Sequence, residues 1–169
     1  MHSKNLFWEF SLDLYARPGV ADACLQLQER HALDVNLLLF ACWAAHRGHR
    51  LTGPEMSAAR DAVANWHDHI VRELRRLRKE LKGDPRGVPV VSANAVREQI
   101  KSVELAAERV EQDVLFGQMQ IGSITRQIRT ETASDAERNI ETYFRVLTKS
   151  TTGEDKDLID RIVDQLLSV

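Results

Sequence analysis

From Val35 to Ala45 the chain reads VNLLLFACWAA, a run with one polar side chain, Asn36. A helix built from it is apolar on every face and belongs inside a packed core. The run falls short of the roughly 20 apolar residues that cross a bilayer, so no membrane span is expected. Asp34 stands where it can cap the first turn, and Gly48 where a left-handed residue can end the helix. Asn36 lies inside that first turn and must find partners; its expected role is to tie neighbouring helices together.

The flanking segments show helical spacing. Leu6, Phe7, Phe10, Leu14 and Tyr15 make one face of a first helix capped by Asn5, and Pro18 suits the first position of a second, striped by Val20, Ala23, Cys24 and Leu27. Thr52-Gly53-Pro54-Glu55 has the form of a capping box. Beyond it Met56, Ala59, Val63, Trp66, Ile70, Leu74, Leu77 and Leu81 recur every three or four positions and predict one continuous seam over residues 54–82. Gly83-Asp84-Pro85 stops that helix. Ser92 is read as the cap of a second long helix over 93–116, with a seam of Val96, Ile100, Val103, Ala107, Val110 and Val114. A connector of about ten residues lets the two lie antiparallel. Gly117 and Gly122 predict a kink or break before Ile124 and Ile128. Ser134 with Glu137 reads as another capping box ahead of Ile140, Phe144 and Leu147, and Ile159, Ile162, Val163 and Leu166 mark a final helix. The expectation is an all-α single domain of about six or seven helices around residues 35–46. Within it, residues 1–116 form the core bundle and 117–169 a C-terminal helical extension.

LYARPGV, DVNLLLF with a tryptophan soon after, the basic ELRRLRKELK and the acidic KSVELAAERVEQ together resemble a proteobacterial family of small helical proteins of unknown function. The resemblance runs from Leu6 to Leu115 and implies a helical fold; it brings no activity, cofactor or site.

Charge narrows the partners. Lys plus Arg number 23 against 25 for Asp plus Glu, so the chain as a whole does not attract nucleic acid. The basic cluster Arg72, Arg75, Arg76, Arg78, Lys79, Lys82 and Arg86 is interleaved with Glu73 and Glu80. In an antiparallel hairpin it would face the acidic run Glu98, Glu104, Glu108, Glu111 and Asp113, which would neutralise much of it internally. Nucleic-acid binding is therefore not expected. Cys24 and Cys42 both fall on apolar faces, as buried free thiols do, and MHSKNLFWEF lacks the layout of a signal peptide. The expected location is the cytoplasm.

Candidate chemistry is sparse. Cys42, His46 and His49, with His31, His67 and His69 elsewhere, do not show the paired spacing of a zinc site, and His49 lies beyond Gly48, so no metal and no cofactor are expected. His46 is expected to bond terminal carbonyls of its helix, and Trp8, Trp43, Trp66 and Phe116 to pack in the core. No nucleophile elbow, phosphate loop or H-E-x-x-H motif occurs. The leading expectation is a non-enzymatic cytoplasmic interaction module that binds a protein partner or itself. The alternative is a small-ligand or enzymatic pocket gathered from Glu9, Arg30, Asp34, Asn36, His46 and Trp66 where the first four helices meet.

Overall fold

Because the 35–45 run has no polar face, the other helices must surround it, and they do. The computed structural model describes residues 5–83, 85–119 and 129–168. Among the described residues there are seven helical rods and no strand: α1 (Leu6–Tyr15), α2 (Val20–His31), α3 (Val35–His46), a continuous rod of α4 (Gly53–Trp66), a π turn (His67–Val71) and α5 (Arg72–Gly83), then α6 (Val90–Gln118), α7 (Arg129–Val146) and α8 (Gly153–Leu166). Every residue from Asn36 to Ala45 is buried. α7 covers the largest part of α3, with α1, α2, α6 and α8 closing the remaining sides. Phe7, Phe40, Trp43 and Phe116 stack through this centre with ring centroids 5.2–6.3 Å apart. Each fully buried leucine or phenylalanine there contributes about 1.5–3 kcal/mol.

Several caps form as the sequence suggests. Asn5 accepts from the Trp8 N–H, Asp34 from the Asn36 N–H, and Thr52 and Glu55 close a reciprocal box. Gly48 is left-handed, at φ +78°. Other caps differ. α2 starts at Val20 behind a left-handed Gly19, so Pro18 lies outside the helix. α6 starts at Val90 behind Pro89, with Ser92 already helical, and α7 runs straight through Ser134. At the end of the chain the working box is Thr152 with Asp155. Residues 120–128, on which Gly122, Ile124 and Ile128 fall, lie outside the described residues.

The two long rods pack antiparallel, but not on the expected seam. The backbone N–H of Arg72 bonds back to His67 O, five residues earlier, and this wider turn inserts one residue into the helix. One residue is about 100° of rotation. Upstream, Met56, Ala59 and Val63 face the core as predicted; downstream, the inward stripe has slipped by one position to His67, Val71, Arg75 and Arg78. Trp66, Ile70 and Leu77 are turned outward, at 38, 38 and 41 % exposure. α6 is slipped to match. Glu104, Ala107, Glu111, Gln112 and Leu115 face inward, while Val96, Val103, Val110 and Val114 are exposed. Charge complementarity replaces the seam: Arg75 Nε and Nη2 reach Glu104 and Glu108 at 3.1 and 2.8 Å, and Arg78 also pairs with Glu104.

Candidate functional site

The slipped register brings a group of buried polar side chains to one point beneath the start of α3. α2 ends in a left-handed Ala32, φ +52°, so that the chain turns into α3 within three residues and Asp34 arrives at the N-cap. There Asp34 Oδ1 accepts the Asn36 N–H at 2.8 Å, which directs Oδ2 inward. The Asp34 backbone N–H donates to Tyr143 Oη at 2.9 Å, anchoring the cap to α7. The π turn delivers His67, whose Nδ1 stands 3.2 Å from Asp34 Oδ2 and 3.1 Å from Glu111 Oε2. Glu111 is fully buried on α6. Beside it, Gln112 Nε2 donates to Asn36 Oδ1 at 2.8 Å, making the inter-helix tie that Asn36 was expected to make.

Two carboxylates thus converge on one imidazole nitrogen in a largely buried site. Burial, then the charge of Glu111, pushes the Asp34 carboxyl well above its ordinary range. Burial likewise raises Glu111 and Glu108. Burial alone would also raise Glu104, but its bonds from Arg78 and Arg75 overcome that and hold it below its usual value. The arginines therefore neutralise the Glu104 and Glu108 end of the α6 stripe, while Asp34 and Glu111 face each other, His67 and Asn36. Such a cluster can hold a shared proton or a cation. The thiols take no part: burial pushes Cys24 up to about 12 and raises Cys42 as well.

Two cavities meet at this point. One, of about 600 Å³, opens between α1, α2 and α6 and is lined by Trp8, Ser11, Leu12, Leu25, Leu105 and Gln112 among others. The second, of about 410 Å³, reaches His67, Arg60 and Tyr143 from the opposite side. Asp34 and Arg75 line both.

Of the residues expected to build a pocket, the structure brings Asp34 and Asn36 together. Glu9, Arg30, His46 and Trp66 line neither cavity. Glu9 is exposed on α1. Arg30 pairs with Glu154 and Asp155 of α8 at 2.6 and 3.4 Å. His46 sits on the Phe10 ring, 5.1 Å between centroids, and leaves the terminal carbonyl of Ala44 to the Arg47 and His49 backbone. Trp66, half in solvent, donates its indole N–H to Ala107 O at 3.0 Å, and Trp8 is half-buried where full core packing was expected. The sequence weighs His67 only as one of several scattered histidines, and it does not single out Glu111, Gln112, Ser11 and Tyr143 as members of the site. One signal for them existed: Glu104, Glu108, Glu111 and Gln112 stand at the spacing of a single helix face.

The fold and site define an all-helical domain with a buried carboxylate–imidazole cluster beneath a surface groove. Residues 6–115 match the family described as "Protein of unknown function (DUF2390)", and the chain belongs to it. Comparison with curated proteins gives no match, nor does comparison with solved structures.

Proposed function

We propose that this protein binds a small amphipathic molecule in the groove between α1, α2 and α6. One observation carries the reading. Ser11 Oγ and Gln112 Oε1 are both buried, neither has a hydrogen-bond partner, and both line the same cavity. Buried polar atoms left unmet cost about 1–3 kcal/mol each, so a groove that keeps two of them is built to receive a donor from outside. Its walls are apolar: Leu12, Leu25 and Leu105 are each about half exposed around the opening, and Trp8 stands beside them. Lys79 and Lys101 also line the groove, beside Glu29 and Glu98, while Arg78 is paired with Glu104. A ligand with an apolar body and a hydroxyl or amide head for Gln112 fits this arrangement. Few convergent polar groups in an apolar cleft are the usual composition of such sites. Binding rather than turnover is the reading, because the described residues supply no activated hydroxyl or thiol to attack a substrate. The two buried free thiols support a reducing compartment, and no helix among the described residues is long and apolar enough to cross a membrane.

The test is titration of the full chain with anilinonaphthalene sulfonate, an apolar anion of suitable size. Saturable one-to-one uptake by the folded protein is expected, weakened at least about tenfold by Leu105→Arg and by Gln112→Ala. Uptake that does not saturate, or is the same in both variants, would remove the reading.

A second reading rests on the outward valines. Val96, Val103 and Val110 repeat every seven residues on the exposed side of α6 and present a coiled-coil seam that a second copy of this helix would match. Light scattering of the parent beside Val103→Glu tests this self-association. A monomeric parent at micromolar concentration excludes it.

A further inference from the structure

We propose that Asp34, His67 and Glu111 form a mononuclear site for a divalent first-row transition-metal ion. The three side chains come from three separate elements, the cap of α3, the π turn and α6, and one donor atom from each lies within 4.8 Å of the others. Their closest approaches, 3.1 and 3.2 Å to the shared nitrogen, have the length of an edge of a coordination polyhedron. Two donors each about 2.0–2.2 Å from an ion and about 90–110° apart are separated by about 2.9–3.5 Å.

With both carboxylates ionised, the protein alone leaves the cluster incomplete. His67 Nδ1 carries at most one proton and can satisfy one carboxylate oxygen. The other oxygens show the shortfall: Asp34 Oδ2 and Glu111 Oε1 are buried and accept no hydrogen bond. Asp34 is 7 % exposed and Glu111 not at all, so an unmet oxygen on either is largely withdrawn from bulk water. A cation at the centre would draw on both carboxylates and on the Nδ1 lone pair together. The charge agrees. Arg75 and Arg78 pair directly with Glu104 and Glu108 and not with Asp34 or Glu111, so a dication that displaced the proton held there would meet two carboxylates.

The donor set selects the class of ion. Calcium and magnesium prefer shells made of oxygen, whereas an imidazole with two carboxylates suits zinc, iron(II), cobalt(II) or manganese(II). Three protein ligands leave at least one position open, and the cavity of about 410 Å³ that reaches Asp34 and His67 supplies the entry path. Tyr143 acts as a positioning residue, holding the backbone of Asp34 from behind through its 2.9 Å bond.

The experiment uses the full chain, stripped with a chelator and titrated with Co²⁺ alone, followed by visible absorption and by calorimetry, with Zn²⁺ as competitor. One equivalent of Co²⁺ is expected, with d–d bands that vanish as Zn²⁺ displaces it and a melting temperature that rises with added metal. Glu111→Gln, which keeps shape and amide bonding, should bind at least about tenfold more weakly while its helix content and cooperative melting stay intact, as should Asp34→Asn, which keeps the cap. A parent that takes up no stoichiometric Co²⁺, or variants that bind it as tightly as the parent, would overturn the site. The site stands apart from the groove: uptake of the fluorescent anion without uptake of Co²⁺ overturns the metal site alone, and the reverse overturns only the groove.

Discussion

Asn139, on α7, accepts the backbone N–H of Leu51 at 2.8 Å, while its Nδ2 donates to Ala41 O and His49 O at 3.1 and 3.0 Å. One buried amide therefore joins the end of α3, the following loop and α7. Asn139→Leu would leave the Leu51 N–H unmet in the interior, and a loss of about 1–3 kcal/mol is expected by urea denaturation. A loss below about 0.5 kcal/mol would mean that solvent reaches that amide.

Asn36 and Gln112 form the corresponding tie between α3 and α6. Asn36→Leu removes the acceptor for Gln112 Nε2 and should cost about 1–3 kcal/mol. Pairing it with Gln112→Leu replaces both partners by apolar groups, so the double variant should recover most of that loss. Thermal melts of the two single variants and the double read the coupling. Simple additivity would show that the bond contributes nothing.

Asp155 makes stability depend on pH at the acid end. Its burial alone would raise the carboxyl, but the Thr152 backbone, His31 and the Thr152 hydroxyl pull it down to about 2 from 3.8. A group whose folded value is depressed stabilises the fold fully above its unfolded value, and that stability is lost as pH falls through the folded one. The Asp155 contribution, about 2 kcal/mol, should be present above pH 4 and fade between pH 4 and 2. Asp155→Asn should be less stable than the parent at pH 6, with the gap narrowing below pH 4. A gap that stays constant across that range would refute the assignment.

Metal-free protein should carry strain at the cluster. With chelator present, Glu111→Gln separates two buried carboxylates that face one imidazole, so this variant should melt higher than the parent, by about 0.5–2 kcal/mol in stability. Saturating Zn²⁺ should reverse the order, since only the parent gains from the ion. A variant less stable than the parent in chelator would show that Glu111 serves the fold alone.

Class and architecture were readable in the chain because they follow from periodicity and caps. The apolar run of α3 announced its own burial, and Asn5, Asp34 and the Thr52 box begin helices where their chemistry allows. The site was less legible for a definite reason. A π turn has no composition of its own, so the stripe through Trp66, Ile70 and Leu77 was extended past it as if the helix were regular, when the true inward positions lie one residue on. The same step hid Glu111 behind Val110, since an apolar stripe next to a charged one is ordinarily taken as the buried one. Ser134 misled in another way, offering good cap chemistry inside a segment whose packing on α3 sustains the helix through it. Tyr143 could not be foreseen at all, because its partner is a backbone amide 109 positions away.

That separation also governs how the molecule is made. The wholly apolar α3 is covered chiefly by α7, so about a hundred residues of chain must be synthesised after α3 before its principal cover exists. Helical proteins usually fold fast because their contacts are local, and this one has its central contact among its least local. Until α7 arrives, the nascent chain carries an all-apolar helix whose only available cover is α1, α2 and the long hairpin, and that interval is when a chaperone or an aggregate would meet it.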